Sequence, residues 1–176
     1  MGQQVGRIAR VVLPALAGVA LFFVYRGYAR GAGMAACPAS DSNVVVVDTA
    51  SHTLFACENG HGVGRFGVRI GRSGTGKARE GDGKTPLGTY PLGEARPSAS
   101  YGTFVPIGYP TPEQRRAGRS GSDVGLHGPG RRMRAVGALA NLFDTTDGCV
   151  GLGTDDDMDR FASWVRLRRP RTIVLR

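Results

Sequence analysis

Four consecutive β-branched residues, Val44–Val47, constrain the fold more than any other feature of the sequence. Such side chains are stiff at χ1 and pack well on a pleated surface, so the run reads as a strand. The polar stretch Asp48-Thr49-Ala50-Ser51-His52 follows, and then Thr53-Leu54-Phe55-Ala56-Cys57, which completes a hairpin. Glu58-Asn59-Gly60 turns the chain again. It leads into Arg65-Phe66-Gly67-Val68-Arg69-Ile70, where charged and apolar residues alternate at the strand period. The chain holds 28 Gly and 10 Pro in 176 residues and only 7% aromatics, a balance that favours turns and short strands over a helical bundle.

One helix stands out near the end. Thr154 is placed to cap it, and Asp155, Asp156 and Asp157 in its first turn suit the helix dipole. Met158, Phe161, Ala162 and Val165 fall on one apolar face. Arg166, Arg168 and Arg169 suit the carboxyl end, Pro170 stops the helix, and Thr172–Leu175 is a last strand. Between these regions, Lys84–Leu92 reads as a tight turn entering an extended segment. Tyr101–Tyr109 reads as another extended piece, with Pro106 suggesting a sheet edge or bend. Residues 110–122 read as a polar surface loop, and Ala135–Phe143 is apolar and ambiguous. The predicted architecture is mostly β, with a sandwich or mixed sheets and one or two helices.

The amino terminus is of a different kind. Arg7 and Arg10 precede the apolar run Val11–Tyr25, and Arg26 closes it. Residues 1–26 therefore read as a hydrophobic helix serving as signal peptide or membrane anchor, and residues 27–42 as a linker to a domain over 43–176. Met34-Ala35-Ala36-Cys37 resembles a lipoprotein cleavage box only loosely, so an anchor or ordinary signal peptide is the preferred reading. An exported domain works in an oxidising compartment, where Cys37 and Cys57 can pair and leave Cys149 free. The alternative is that Cys57 is simply a small buried residue on a strand.

A net charge of +9 suits polyanions, but no zinc finger, helix-turn-helix or RNA-stacking motif accompanies it, and no nucleic-acid partner is expected. Gly71-Arg72-Ser73-Gly74-Thr75-Gly76-Lys77 has the spacing of a phosphate-binding loop. Ala78 stands where a magnesium-binding hydroxyl is needed, and the glycines beyond it cannot open a helix, so the nucleotide reading fails. His52 and His61 read as exposed turn histidines, and no metal or cofactor is expected.

Chemistry concentrates in two small-residue frames. Val124-Gly125-Leu126-His127-Gly128 delivers a histidine at the end of a short strand, and Thr145-Thr146-Asp147-Gly148-Cys149-Val150-Gly151-Leu152 carries a cysteine. A thiol attacks carbonyl carbon only as thiolate, and a neighbouring imidazole can take its proton and return it to a leaving amine. The glycines let backbones approach and leave room for a substrate. The pair reads as a cysteine acyl-transfer site.

The ordered set of an opening hairpin, Thr85-Pro86-Leu87-Gly88-Thr89-Tyr90, His127-Gly128 and Thr146-Asp147-Gly148-Cys149-Val150 resembles the YkuD-like L,D-transpeptidases of cell-wall metabolism. Glu80–Pro86 and Ile107-Gly108-Tyr109-Pro110 look most like the YafK-type branch. The resemblance implies that His127 deprotonates Cys149, which attacks a peptidoglycan stem peptide to form a thioester, with amides around Gly148 and Cys149 holding the oxyanion. An amine then resolves the thioester into a cross-link, whereas water makes the enzyme a carboxypeptidase or amidase. Thr146, Asp147 and Gly128 are expected in support, and a backbone carbonyl is a candidate to orient His127. Tyr109, Arg131 and Arg132 are expected to contact substrate. The implied location is the cell envelope, with membrane contact through the amino-terminal segment. Two departures from the family form matter: Asp147 replaces a histidine, and Gly151 replaces an arginine. Asp147 is expected to fix the Cys loop through backbone amides, and Arg131, Arg132 or Arg134 to supply the missing charge. These departures also raise a third reading, a weakly active peptidoglycan-binding module.

Overall fold

The computed structural model describes residues 37–39, 42–130 and 133–176. The predicted amino-terminal hydrophobic helix, most of the linker, and Arg131 and Arg132 lie outside the described residues.

The valine run forms β1 (Val44–Asp48), which pairs antiparallel with β2 (Thr53–Glu58) in the predicted hairpin. All four valines are buried because β1 is covered on both faces. Val45 and Val47 belong to the main core, and Val44 and Val46 join Cys57 in a smaller cluster on the other side. Cys37 packs on this second cluster and is disulfide-bonded to Cys57. β3 (His61–Arg69) starts four residues earlier than the alternation alone suggests.

The remaining strands are β4 (Gly88–Pro91), β5 (Arg96–Ser98), β6 (Gly102–Pro106), β7 (Gly125–His127), β8 (Val150–Leu152) and β9 (Thr172–Leu175). They make one nine-stranded mixed sheet in the order β4-β9-β1-β2-β3-β8-β7-β6-β5. β1–β9 and β7–β8 are parallel, and the other pairs are antiparallel. β3 joins the two halves: it pairs with β2 over Thr53–Glu58, and its last residues Val68 and Arg69 pair with Leu152 and Gly151 of β8. One buried cluster unites side chains from both halves, including Val45, Leu54, Val68, Leu126, Leu152 and Ile173, so the sheet curls around a shared core. β6 lies inside the sheet between β5 and β7, and Pro106 is its last residue, so the proline marks a strand end and not an edge.

Two helices are described. α1 (Pro112–Arg116) interrupts the region read as loop, closed by a capping box between Thr111 and Gln114. α2 (Asp155–Arg168) matches its sequence signature: the Thr154 hydroxyl accepts from the Asp157 amide, and Met158, Phe161, Ala162 and Val165 are buried. α2 packs on β6 and β8. Glu58 pins the helix to the hairpin by accepting from Trp164 Nε1 at 2.7 Å and Arg168 Nε at 2.9 Å. The ambiguous Ala135–Phe143 stretch is largely a 3₁₀ segment, Arg134–Leu142, broken at Gly137. His52 is not an exposed turn residue. Its ring is 12% exposed, and Nε2 bonds Asp144 at 2.9 Å, because the β1–β2 turn folds against the segment before the cysteine.

Candidate active site

β7 and β8 run parallel with His127 opposite Gly151. Cys149 immediately precedes β8, two positions before the Gly151 that pairs with His127. The fold thus brings His127, at the end of β7, beside the strand that Cys149 leads into.

His127 is 3% exposed, stacked on Tyr101 with ring centroids 3.7 Å apart. Its Nδ1 lies 2.7 Å from the Gly128 carbonyl oxygen. A carbonyl only accepts, so Nδ1 carries the proton and Nε2 keeps its lone pair. Burial holds the imidazole down to about 4, the nearby Arg69 charge acts in the same direction, and the bond to Gly128 only partly opposes them. The ring is therefore a neutral base at ordinary pH. Gly128 lies close against α2: a Cβ there would stand 3.3 Å from Met158 Cβ and 3.5 Å from Asp155 Oδ1.

Cys149 is the one free cysteine among the described residues and is partly exposed. It opens on a cavity of about 410 Å³ whose rim includes Lys77, Glu80, Ser122, Asp123 and Asp147. Sγ lies 3.4 Å from the Asp123 carbonyl, to which it donates, so in this arrangement the thiol proton points away from the imidazole. Burial pushes the thiol up; a hydrogen bond from the Gly125 backbone and the Lys77 charge pull it back, and the Asp123 charge adds to the rise. The resting pair is thiol and neutral imidazole.

Thr146 shapes the cysteine loop. Its hydroxyl donates to the Cys149 carbonyl at 2.6 Å and accepts from the Gly148 amide at 3.2 Å. Its own backbone is stitched to the end of β3, with Arg72 N 2.8 Å from Thr146 O and Thr146 N 3.2 Å from Ile70 O. The Gly148 amide, expected as an oxyanion donor, is therefore already engaged. What Gly148 contributes is conformation: φ is 126°, and a Cβ would come 2.5 Å from the Lys84 carbonyl oxygen. Asp147 does not hold the loop through backbone amides. It is exposed and ion-paired with Arg72, an arrangement worth about 0–1 kcal/mol at a surface. Tyr109 is 5% exposed in the core, packs edge-on against Tyr90, and donates to the Lys77 carbonyl at 3.0 Å. Its hydroxyl thus holds the backbone of Lys77, which lines the cavity.

Sequence reasoning passed over Tyr101, Lys77 and Arg69. Arg69 is 3% exposed and donates through Nη1 to the Leu152 carbonyl at 3.1 Å. It lies across β3–β8 from Gly151, where a Cβ would come 2.8 Å from its Cζ. Its guanidinium fills the space that the glycine leaves. Arg134 is ion-paired with Asp155 at 3.0 Å. The only signal for Arg69 in the sequence was a charged residue at an inward strand position. A second cleft of about 370 Å³, at the carboxyl end of α2, carries Arg166, Arg169 and Arg171 and none of the expected site residues. Among the described residues, no group of three or more His, Cys, Asp or Glu could hold a metal. No described helix is long and apolar enough to cross a membrane.

Residues 42–174 match the model of the YkuD L,D-transpeptidase catalytic domain. No curated protein matches the chain. Among solved structures it is similar to the helical cell shape determining protein Pgp2 from Campylobacter jejuni, at 21% identity and TM-score 0.64, over 87% of this chain and 54% of that one. It is also similar to Bd1075 from Bdellovibrio bacteriovorus, at 22% identity and TM-score 0.54, over 76% and 47% of the two chains. An L,D-transpeptidase from Mycobacterium smegmatis aligns at 13% identity and TM-score 0.51, over 77% and 58%. The chain spans about half the length of these structures, and at such identities the likeness is one of fold.

Proposed function

The chain belongs to the YkuD family of L,D-transpeptidase catalytic domains, and from that premise we propose that it is a cysteine acyltransferase working on peptidoglycan stem peptides in the cell envelope. The observation that carries the reading is the free, cavity-facing Cys149 one strand away from a buried histidine whose Nδ1 is committed to the Gly128 carbonyl. That arrangement leaves Nε2 as the base.

In the proposed cycle, substrate binding draws the Cys149 thiol away from the Asp123 carbonyl and toward His127, a tightening expected when a free enzyme becomes a complex. Nε2 takes the proton as sulfur attacks the carbonyl of the bond between an L-centre and a terminal D-residue. The tetrahedral oxyanion is met by the Cys149 amide, since Thr146 already holds that of Gly148. Because burial disfavours the imidazolium, it readily returns its proton to the departing amine, leaving a thioester. An amine of a second stem then takes the acyl group and regenerates the thiol. Gly148 and Thr146 set the loop, and Gly128 sets the ring.

The test is incubation of the protein with a tetrapeptide-stem muropeptide, followed by intact-mass measurement. An acyl adduct in the parent chain and none in Cys149→Ala is the expected result. An adduct that persists in Cys149→Ala, or none in either protein, refutes the proposal; the latter leaves the weakly active binding module. The exposure of Cys149 on an open cavity also admits water as resolver, the carboxypeptidase reading. New cross-links in the products identify the transferase, and shortened stems alone identify the hydrolase.

A further inference from the structure

The glycine-rich stretch after β3, discarded as a nucleotide loop, delivers Lys77 to the cavity on which Cys149 opens. The Lys77 side chain is 4% exposed, and its ammonium donates to Asp82 Oδ1 at 2.9 Å and to the Arg79 carbonyl at 3.2 Å. Asp82 is braced in turn by the backbone amides of Ala78, Arg79 and Lys84 at 2.8, 3.0 and 3.0 Å. Burial opposes the Asp82 charge, but these bonds outweigh it and hold the carboxyl below its usual range. The aspartate is thus a fixed anchor whose charge is shared among four donors.

Two glycines make the slot for this lysine. A Cβ on Gly121 would stand 3.1 Å from Lys77 Cε, and one on Gly148 would stand 3.4 Å from Nζ. Gly148 adjoins Cys149, and Lys77 and Cys149 face the same cavity. Among the described residues lining that cavity, Lys77 is the one cation, while Glu80, Asp123 and Asp147 are acidic. Asp147 is offset by Arg72, but among the described residues Glu80 and Asp123 have no such ion pair. A thiolate forming here faces like charges from the 77–81 loop, the 121–124 segment and its own loop, with buried His127 on the adjoining strand. An ammonium offers three N–H bonds, and two are spent on Arg79 and Asp82.

We propose that the Lys77 ammonium is the counter-charge of the Cys149 thiolate during acyl transfer. This rests on the cysteine reading above and adds to it the source of the charge that makes the sulfur anion attainable. The thiol proton passes to His127 Nε2, sulfur keeps the electron pair, and Lys77 neither gives nor takes a proton in the step. Lys77 acts through Cys149, as a positioning residue.

The experiment is the pH dependence of Cys149 alkylation by iodoacetamide, with no muropeptide present, in the parent chain and in Lys77→Gln, Lys77→Met and Lys77→Arg. Glutamine retains hydrogen bonding to Arg79 and Asp82 and methionine retains the hydrocarbon stem, so the two guard against loss of folding, which circular dichroism checks. Opposite charges within about 4–6 Å of each other move a pKa by about 1–3 units, so on this proposal both neutral variants should raise the alkylation midpoint by about one unit or more and slow alkylation roughly tenfold below it. Lys77→Arg should keep the parent midpoint. An unchanged midpoint in a folded neutral variant overturns the proposal. The outcome is independent of the mass adduct: failure to acylate sinks the transpeptidase reading, while the alkylation profile reads Lys77 alone.

Discussion

A single methyl added at position 151 is expected to destabilise the domain, and the structure bounds by how much. A Cβ on Gly151 would lie 2.8 Å from Arg69 Cζ, 2.9 Å from Nε and 3.0 Å from Nη2. Real Cβ atoms do not approach so closely, so something must move. One escape keeps the guanidinium in place and strains β8 against β3, a form of overpacking that costs about 1–3 kcal/mol. The other swings the guanidinium out, giving up the buried bond to the Leu152 carbonyl at 3.1 Å, worth about 1.5–3 kcal/mol for a charged donor. The molecule takes the cheaper route, so Gly151→Ala should cost about 1–3 kcal/mol. With a urea slope of about 1–3 kcal/mol/M, the unfolding midpoint moves by about 1 M. The control is the same substitution in an Arg69→Ala background, where the clash is gone and the methyl should cost almost nothing. A coupling near the full single-variant cost is therefore expected from the double-mutant cycle. Equal costs in both backgrounds would show that the glycine is required for some reason other than Arg69.

Two further outcomes follow from the buried groups. His127 is held down to about 4 from an ordinary 6.5, so between these values the unfolded chain binds a proton that the folded chain refuses. Its contribution to stability is complete above about pH 6.5 and is lost as pH falls toward about 4, about 3 kcal/mol in all. Urea titrations of the parent and His127→Gln across that window should diverge in slope, and parallel curves refute the buried neutral ring. The Cys37–Cys57 link closes a loop of sequence separation 20, so removing it by Cys37→Ser with Cys57→Ser should cost about 3 kcal/mol. Thiol titration of the folded, unreduced protein should then find Cys149 alone, and three reactive thiols under those conditions would contradict the link.

Local pattern carried much of this fold. The β1–β2 hairpin, the body of β3, and α2 with its Thr154 cap were all readable, because each is set by residues within a few positions of one another. The pairing of Val44 with Thr172 was not, since nothing in a strand's own period names a distant partner. The short α1 escaped because its signal is a capping box with no apolar face behind it; none of its residues is buried. Among the candidate site residues, His127 and Cys149 stood out through their glycine frames. Arg69 and Lys77 did not, because a charge in a strand or loop reads as solvated until the fold shows it covered. Tyr109, expected as a substrate contact, is buried, and its hydroxyl donates to the Lys77 carbonyl, a tertiary contact that the sequence does not announce.

The cystine joining the segment ahead of β1 to the far end of β2 also sets how the domain bears mechanical load. Tension arriving along the backbone at Cys37 passes through the sulfur bridge into Cys57, and the whole β1–turn–β2 loop between them is short-circuited. The valine strand at the middle of the sheet therefore carries none of that pull and cannot be peeled away by it. Reduction reroutes the force through β1 itself, so resistance to stretching, measured by single-molecule pulling from that side, becomes a property of the oxidation state.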